Sequence, residues 1–140
     1  MIEYVIMIGV ALSGKTTYRE ANFPDHKVLA LSYFDNNRNA EMRVIEEYLK
    51  EGKSIVVDDT NLTQKIRKMH IDMAKKYHAK IIGIFMNTST NLLQQRQMGR
   101  RNSFPLVVIN KQLKELETPL KEEGFEMLIV KKNYMQPKTT

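Results

Sequence analysis

The chain has 140 residues and no cysteine, so its length suits one domain with a substantial core, and disulfides and cysteine-based metal sites are excluded. Hydrophobic residues make up 42% of the chain and charged residues 27%, which is typical of a soluble globular protein, and no apolar run is long enough to cross a membrane. The formal net charge of +6 favours a phosphorylated or polyanionic partner.

The N-terminal region predicts a strand, a glycine-rich loop and a helix in succession. Residues 4–8 are an apolar run of β-favouring residues, and residues 15–21 can be helical until the turn around Pro24. Residues 9–16 match G-x-x-x-x-G-K-[ST], the pattern of the phosphate-binding P-loop. The alternative is an ordinary turn with an unrelated lysine, but a strand before and a helix after are the context that a P-loop requires.

The predicted P-loop has the groups that bind a nucleoside triphosphate. Gly9 and Gly14 allow successive backbone N–H groups to point into one hollow that attracts anions. Lys15 can reach the β- and γ-phosphates and the Thr16 hydroxyl can bind Mg²⁺, while the following helix directs its positive end at the same phosphates. We therefore expect ATP, or another nucleoside triphosphate, and Mg²⁺. The predicted nucleotide-binding residues of this stretch are Gly9, Leu12, Ser13, Gly14, Lys15, Thr16 and Thr17.

The rest of the chain alternates predicted strands with amphipathic helices. Further strands are expected over residues 27–32, 54–59, 80–86 and 127–130. Further helices are expected over residues 37–50, after Thr63, over residues 88–98 and over residues 106–116. In the helix after Thr63, the side expected to be buried consists of Ile66, Met69, His70, Met73, Ala74 and Tyr77.

This alternation predicts an α/β fold of the P-loop NTPase type, with a parallel sheet of about five strands and helices on both faces. We expect one P-loop domain over residues 1–132 and a flexible tail over residues 133–140. The sequence has no basic segment followed by a long apolar stretch, so we expect no signal peptide, no membrane partner and a cytoplasmic location.

Asp35 and Arg38 follow the second predicted strand, at the sheet edge where parallel sheets bind their ligands. They are three residues apart, so on a helix their side chains share a face. There Asp35 could accept a proton from an acceptor hydroxyl and Arg38 could pair with an acceptor phosphate. The alternative is that Asp35 caps the helix and Arg38 is a solvated surface charge.

Asp58-Asp59-Thr60-Asn61 ends the third predicted strand. An acidic residue at this position can hold Mg²⁺ or fix an acceptor. Side chains alternate along a strand, so only one of the two aspartates should meet the nucleotide unless the strand has already ended. The alternative is that Asp59 or Asn61 makes a turn bond to its own backbone.

A cluster of arginines follows the fourth predicted strand. Arg96, Arg100 and Arg101 could form a lid over the triphosphate, with Gly99 as a bend, and an arginine there would stabilise charge in the transition state. The alternative is a basic helix end that matches the helix dipole.

Together these segments resemble the P-loop polynucleotide 5′-kinase family, in particular its bacteriophage type. The resemblance covers most of the chain in the same order, and its most specific part is Asp-x-x-Arg at residues 35–38 followed by Asp-Thr-Asn at residues 59–61. It implies kinase activity, without the phosphatase domain that accompanies some members. The lid departs from the family pattern, because Gln97 follows Arg96 and the interval to Pro105 is shorter, so Arg100 and Arg101 could exchange roles.

The resemblance also implies roles for the matching residues. Asp35 would be the general base, Arg38 would orient the acceptor phosphate and Asp59 would help to hold the acceptor. Lid arginines would grip the donor phosphates. With the motif, this predicts as catalytic residues Asp35, Lys15 and Arg100; as acceptor-binding residues Arg38, Asp59 and Thr60; as metal-binding residues Thr16 and Asp58; and as further nucleotide-binding residues Arg96, Arg100 and Arg101.

The leading hypothesis is therefore an ATP-dependent kinase that phosphorylates the 5′-hydroxyl of a nucleic acid. A second hypothesis keeps the chemistry but changes the acceptor to a small molecule, a nucleotide or an aminoacyl-tRNA. A third is a nucleotide-binding switch, against which Asp35 and Arg38 argue, because a switch needs no base for an acceptor.

Overall fold

The computed structural model of the protein describes residues 1–99 and 105–135, in which strands and helices alternate. The strands are β1 (Glu3–Ile8), β2 (Lys27–Leu29), β3 (Ile55–Val57), β4 (Lys80–Asn87) and β5 (Met127–Lys132). The helices are α1 (Lys15–Asn22), α2 (Arg38–Lys50), α3 (Gln64–Lys76), α4 (Thr90–Met98) and α5 (Leu106–Glu115). No helix in these two ranges is long and apolar enough to span a lipid bilayer.

The five strands form one parallel sheet in the order β2-β3-β1-β4-β5. Tyr4 of β1 pairs with Ile55 of β3 on one side and with Ile81 of β4 on the other. Helices α2 and α3 pack on one face of the sheet, and Tyr18 of α1 packs on the other. The predicted α/β fold, a parallel sheet of about five strands with helices on both faces, is confirmed.

The central strand β1 is buried on both faces, as its continuous apolar run predicts. Tyr4, Ile6 and Ile8 belong to the core under α2 and α3. Val5 and Met7 belong to the core under α1. This buried strand leads directly into the P-loop and fixes where the loop begins.

A third apolar cluster packs against the first residues of the P-loop. Val10 and Ala11 of the loop pack with Leu62, which follows β3, and with Leu93 of α4 and Ile109 of α5. Helices α4 and α5 therefore pack against the P-loop and the segment that follows β3.

Two strands end earlier than predicted. β2 stops at Leu29, and Leu31–Phe34 form a short 3-10 helix instead of continuing the strand to residue 32. The Leu31 backbone N–H donates to Asp59 Oδ1 at 2.7 Å, which holds the chain in this turn and away from a strand partner. β3 stops at Val57, so residues 58 and 59 both lie beyond the strand.

The buried side of α3 also differs from its prediction. It contains Arg67, His70, Ile71 and Ala74, whereas Met69 is 37% exposed. The prediction was right for His70 and Ala74 and wrong for Met69. The reason is that Arg67 is buried against acceptors from the C-terminal segment, which turns the helix so that position 67 faces inward.

The first residues of the predicted tail are held by the domain. The Asn133 backbone N–H donates to Asn87 O at 3.0 Å, and Asn133 Oδ1 accepts from the Ser89 backbone N–H at 2.7 Å. Tyr134 lies edge-on to Tyr18, with ring centroids 5.2 Å apart. The boundary at residue 133 between domain and flexible tail stays a prediction, and residues 136–140 lie outside the described residues.

Candidate nucleotide and acceptor site

A cavity of about 690 Å³ lies at the carboxyl ends of β1, β2 and β3. Parallel sheets bind their ligands at this edge. The P-loop side is formed by Ala11, Leu12, Gly14, Lys15, Thr16 and Thr17. The opposite side is formed by Ala30, Leu31, Ser32, Asn36, Asp58, Asp59 and Thr60, and the rim by Arg96, Gln112, Tyr134 and Met135.

The P-loop has the curled backbone that its glycines predict. Gly14 has φ 101°, a conformation that other residues rarely adopt. A Cβ on Gly9 would lie 2.6 Å from Ser13 Oγ, so this position has no room for a side chain. Leu12 has φ 66° although it is not glycine. A left-handed residue with a Cβ costs about 1–2 kcal/mol, so this loop carries strain at Leu12.

Lys15 lies over the P-loop that carries it. Its Nζ donates to Gly9 O and to Val10 O, both at 2.8 Å. Burial lowers the pKa of Lys15 to about 8, against the opposing influence of the Asp58 and Asp59 charges. A phosphate oxygen is a stronger partner for this ammonium group than two neutral carbonyls, so the site is suited to an anion.

Thr16 and Asp58, the predicted metal-binding pair, are in contact. Thr16 Oγ1 donates to Asp58 Oδ2 at 2.8 Å, and Arg19 Nε donates to the same oxygen at 3.0 Å. A hydroxyl and a carboxylate are oxygen ligands of the kind that Mg²⁺ prefers, so the residues present fit the ion. Sequence reasoning missed Arg19, although it lies three residues after Thr16 on α1 and so faces the same side.

Both aspartates after β3 line the cavity, because the strand ends before them. The Oδ1 of Asp59 accepts from the Leu31 N–H. Asn61 has φ 46°, and its side-chain amide donates to Met7 O at 2.7 Å. The Asp-Thr-Asn segment thus connects the end of β1 with the turn after β2.

Asp35 lies on that turn, but it is exposed and is not among the residues that line the cavity. Its neighbour Asn36 does line it. The cap of α2 is Asn37, whose Oδ1 accepts from the Ala40 N–H at 3.1 Å, so the alternative in which Asp35 caps the helix is wrong. Arg38 begins α2, and its Nη1 is buried without a hydrogen-bond partner within the described part of the chain.

Behind Asp59 lies a buried polar group that sequence reasoning did not connect to the site. Glu41 of α2 and His70 of α3 are fully buried, and Tyr4 Oη hydrogen bonds to His70 Nδ1 at 2.6 Å. Burial, a hydrogen bond with Asp59 and the Asp59 charge raise the pKa of Glu41 to about 9, while Arg38 opposes this. Burial and the Arg38 charge lower the pKa of His70 to about 3, so its imidazole is neutral.

Arg67 supports the Asp59 side of the cavity from within the core. This fully buried guanidinium donates to both carboxylate oxygens of Glu123, at 2.8 Å and 3.1 Å. It also donates to Asn61 O and to Glu117 O, each at 3.0 Å. Arg67 therefore fixes the Asp-Thr-Asn segment to the chain between α5 and β5. The periodicity of α3 gave no signal for it, since a charged residue is expected in solvent.

Arg96 closes the rim of the cavity beside the P-loop. Its Nη1 donates to Leu12 O at 2.6 Å, and its Nη2 donates to Tyr134 O. Arg96 is thus close to the predicted nucleotide site, and its role as a lid residue stays a prediction. Arg100 and Arg101 lie outside the described residues.

Comparison with known proteins finds similarity to one domain family and to two curated kinases. The family described as an AAA domain matches residues 25–119. The bifunctional polynucleotide phosphatase/kinase of Schizosaccharomyces pombe is 29% identical over 134 residues, which cover 88% of this chain and 32% of that protein. The L-seryl-tRNA(Sec) kinase of Methanococcus maripaludis is 30% identical over 88 residues, which cover 63% of this chain and 34% of that protein. The chain spans about a third of the length of these two relatives.

The fold has a close counterpart among solved structures. A gluconokinase from Sinorhizobium meliloti has a TM-score of 0.67 at 19% identity, covering 95% of this chain and 83% of that one. At such an identity the likeness concerns the fold, and one fold serves many substrates. The bacteriophage type of polynucleotide kinase therefore stays a prediction.

Proposed function

Because the chain belongs to the AAA-domain family of P-loop kinases, we propose that it transfers the γ-phosphate of ATP to the 5′-hydroxyl of a polynucleotide. The observation that carries this proposal is the composition of one cavity. The P-loop with Lys15 forms one side, and the turn after β2 with Asp59 forms the other. A phosphate donor and a hydroxyl acceptor need such a pair of facing surfaces.

The donor side would bind ATP through the P-loop. Backbone N–H groups and Lys15 would hold the β- and γ-phosphates, where negative charge shifts during transfer. Thr16 and Asp58 would hold Mg²⁺, which neutralises charge on those phosphates when it is bound. Lys15 would exchange its bonds to Gly9 O and Val10 O for bonds to phosphate.

The acceptor side would position and deprotonate the hydroxyl. The hydroxyl oxygen would form a bond to the γ-phosphorus, the bond from that phosphorus to the bridging oxygen would break, and ADP would leave. The proton would pass to the Asp35 carboxylate, whose turn borders the cavity through Asn36. Arg38 would pair with a phosphate of the acceptor, and Asp59 would help to hold it.

Two observations favour a nucleic acid over a sugar as the acceptor. The net charge of +6 suits a polyanion. A relative whose match covers 88% of this chain is a polynucleotide phosphatase/kinase. A tRNA acceptor is the second candidate, because a seryl-tRNA kinase is 30% identical over 63% of this chain.

The test is single-turnover transfer from labelled ATP to a panel of acceptors. The panel holds 5′-hydroxyl DNA and RNA oligonucleotides, with and without a 3′-phosphate, together with tRNA, seryl-tRNA and gluconate. We expect label on the 5′-hydroxyl oligonucleotides, and the Lys15→Ala variant is the control that removes it. Faster transfer to seryl-tRNA or gluconate would overturn the polynucleotide assignment. ATP hydrolysis that no acceptor accelerates would favour a nucleotide switch.

Arg38→Ala refines the test of the acceptor side. If Arg38 pairs with an acceptor phosphate, its loss should slow transfer to the 3′-phosphorylated acceptor more than transfer to a bare nucleoside. An equal loss with both acceptors would contradict this role. Binding of an oligonucleotide should also weaken with salt, because lysine and arginine contacts release counterions from it.

A further inference from the structure

Three side chains from separate elements meet in the core behind the cavity. Glu41 of α2 and His70 of α3 are fully buried, and Asp59 after β3 is 8% exposed. Each of them offers a ligand atom within 4.8 Å of those of the other two. Among the described residues, His70 Nε2 has no hydrogen-bond partner, and the facing Glu41 and Asp59 carboxyl groups have only each other. Buried polar atoms without partners are costly, so their accumulation at one point calls for a ligand.

One ligand atom each of His70 and Asp59 already has a hydrogen bond to a neighbouring residue. These bonds orient the second atom of each side chain towards the centre of the cluster. Tyr4 Oη hydrogen bonds to His70 Nδ1 at 2.6 Å. The Leu31 N–H donates to Asp59 Oδ1 at 2.7 Å. Metal-binding histidines and carboxylates are held in this way, with one atom on an outer partner and the other available to the ion.

We propose that Glu41, Asp59 and His70 bind a divalent transition-metal ion such as Zn²⁺, at a structural site separate from the Mg²⁺ site of Thr16 and Asp58. One imidazole and two carboxylates suit Zn²⁺, Co²⁺ or Mn²⁺, whereas Mg²⁺ prefers oxygen ligands alone. The two carboxylates balance the charge of the ion. A bound ion selects the tautomer in which His70 Nδ1–H donates to Tyr4, which leaves the Nε2 lone pair for the metal.

Arg38 is the charged group that competes with such an ion. Its charge acts on both Glu41 and His70, and its Nη1 is buried without a partner in the described part of the chain. A metal ion would take over from the Arg38 charge in offsetting the charge of Glu41. The guanidinium would then be free to turn to the cavity, and Asp59 would be fixed. The ion would thus order the acceptor side without contacting the nucleotide.

The experiment is a Co²⁺ titration of the full chain after chelator treatment, followed by visible absorption. We expect one Co²⁺ per chain, with d–d bands that Zn²⁺ removes and excess Mg²⁺ does not. Melting of the same samples should show that Zn²⁺ raises the unfolding midpoint. Glu41→Gln and His70→Asn should abolish the bands, and Tyr4→Phe, which removes an outer partner, should weaken binding by about 10–100-fold.

His26→Gln is the matched control, because the partly buried His26 pairs with Glu3 at 2.8 Å outside the cluster and could bind metal adventitiously. It should keep both the bands and the Zn²⁺ effect. Absence of the bands from the unsubstituted chain would overturn the proposal, and that result needs no variant to fold. Bands that survive Glu41→Gln and His70→Asn would also overturn it, and Glu41 would then be a proton donor to Asp59.

Discussion

Replacing Asp35 by Asn separates catalysis from stability at the proposed base. Asp35 has φ 51° and ψ 39°, in the left-handed region. Asn tolerates this region well, so the substitution removes the charge without adding backbone strain. It removes no helix cap either, because α2 is capped by Asn37. We therefore expect Asp35→Asn to keep the unfolding midpoint and the ATP affinity of the parent.

The expected loss is confined to the chemical step. A general base contributes about 10²–10⁴-fold, which is about 2.7–5.4 kcal/mol at 1.36 kcal/mol for each factor of ten. Single-turnover transfer should fall by that factor. Asp35→Ala should lose as much transfer and in addition about 1 kcal/mol of stability, because Ala is disfavoured at positive φ. For a domain of this size that corresponds to a midpoint lower by roughly 3 °C.

Asn37→Ala is the matched control, since it lies two residues away on the same turn. It removes the bond from the Ala40 N–H to Asn37 Oδ1 and should cost about 1 kcal/mol. Its transfer rate should stay near that of the parent. The measurement is single-turnover transfer and a thermal melt on the same sample of each variant. Near-normal transfer by Asp35→Asn would refute the role of Asp35 as base and leave Asp59 as the candidate.

Three further substitutions test other parts of the structure. Thr16→Ala should reduce the transfer rate at low Mg²⁺, and high Mg²⁺ should partly restore that rate, which is measured as a function of Mg²⁺ concentration. A loss of rate that is independent of Mg²⁺ would contradict the pairing of Thr16 with Asp58. Arg67→Met should lower the free energy of unfolding by about 3–5 kcal/mol in urea, because it leaves a carboxylate and two carbonyls without their donor; a loss under 1 kcal/mol would refute this. Gly83→Ala should cost about 1–3 kcal/mol, because its Cβ would lie 2.7 Å from the buried Phe125 ring, and unchanged melting would show that this ring can move.

The α/β fold could be predicted from the sequence because its strands are continuous apolar runs and the apolar residues of its helices recur with the helical period. The P-loop could be predicted because its chemistry requires a fixed spacing. Strand ends were harder, since β2 is stopped by a bond between Leu31 and the Asp59 side chain. That bond joins residues 28 positions apart, and no local pattern reports it.

The buried charges were missed for a related reason. Arg67 is stabilised by Glu123, which lies 56 residues further along the chain, so periodicity alone assigns it to solvent. Glu41 had a usable signal, because it lies four residues before Ile45 and eight before Leu49, on the stripe that is buried in α2. A carboxylate on such a stripe indicates a buried polar cluster. The roles of the individual site residues stay predictions until the variants above are measured.

The central position of β1 has a consequence for how the chain folds during synthesis. Tyr4 pairs with Ile55 and with Ile81, which are 51 and 77 residues away (55 − 4 and 81 − 4). Contacts this distant in sequence form slowly, because a long segment must be ordered before they are made. At about 5–20 residues per second, roughly 4–15 s separate the synthesis of β1 from that of β4. During that interval the five apolar residues at positions 4–8 have no strand on the β4 side, so a ribosome-bound chain that stops before β4 should bind chaperones or aggregate.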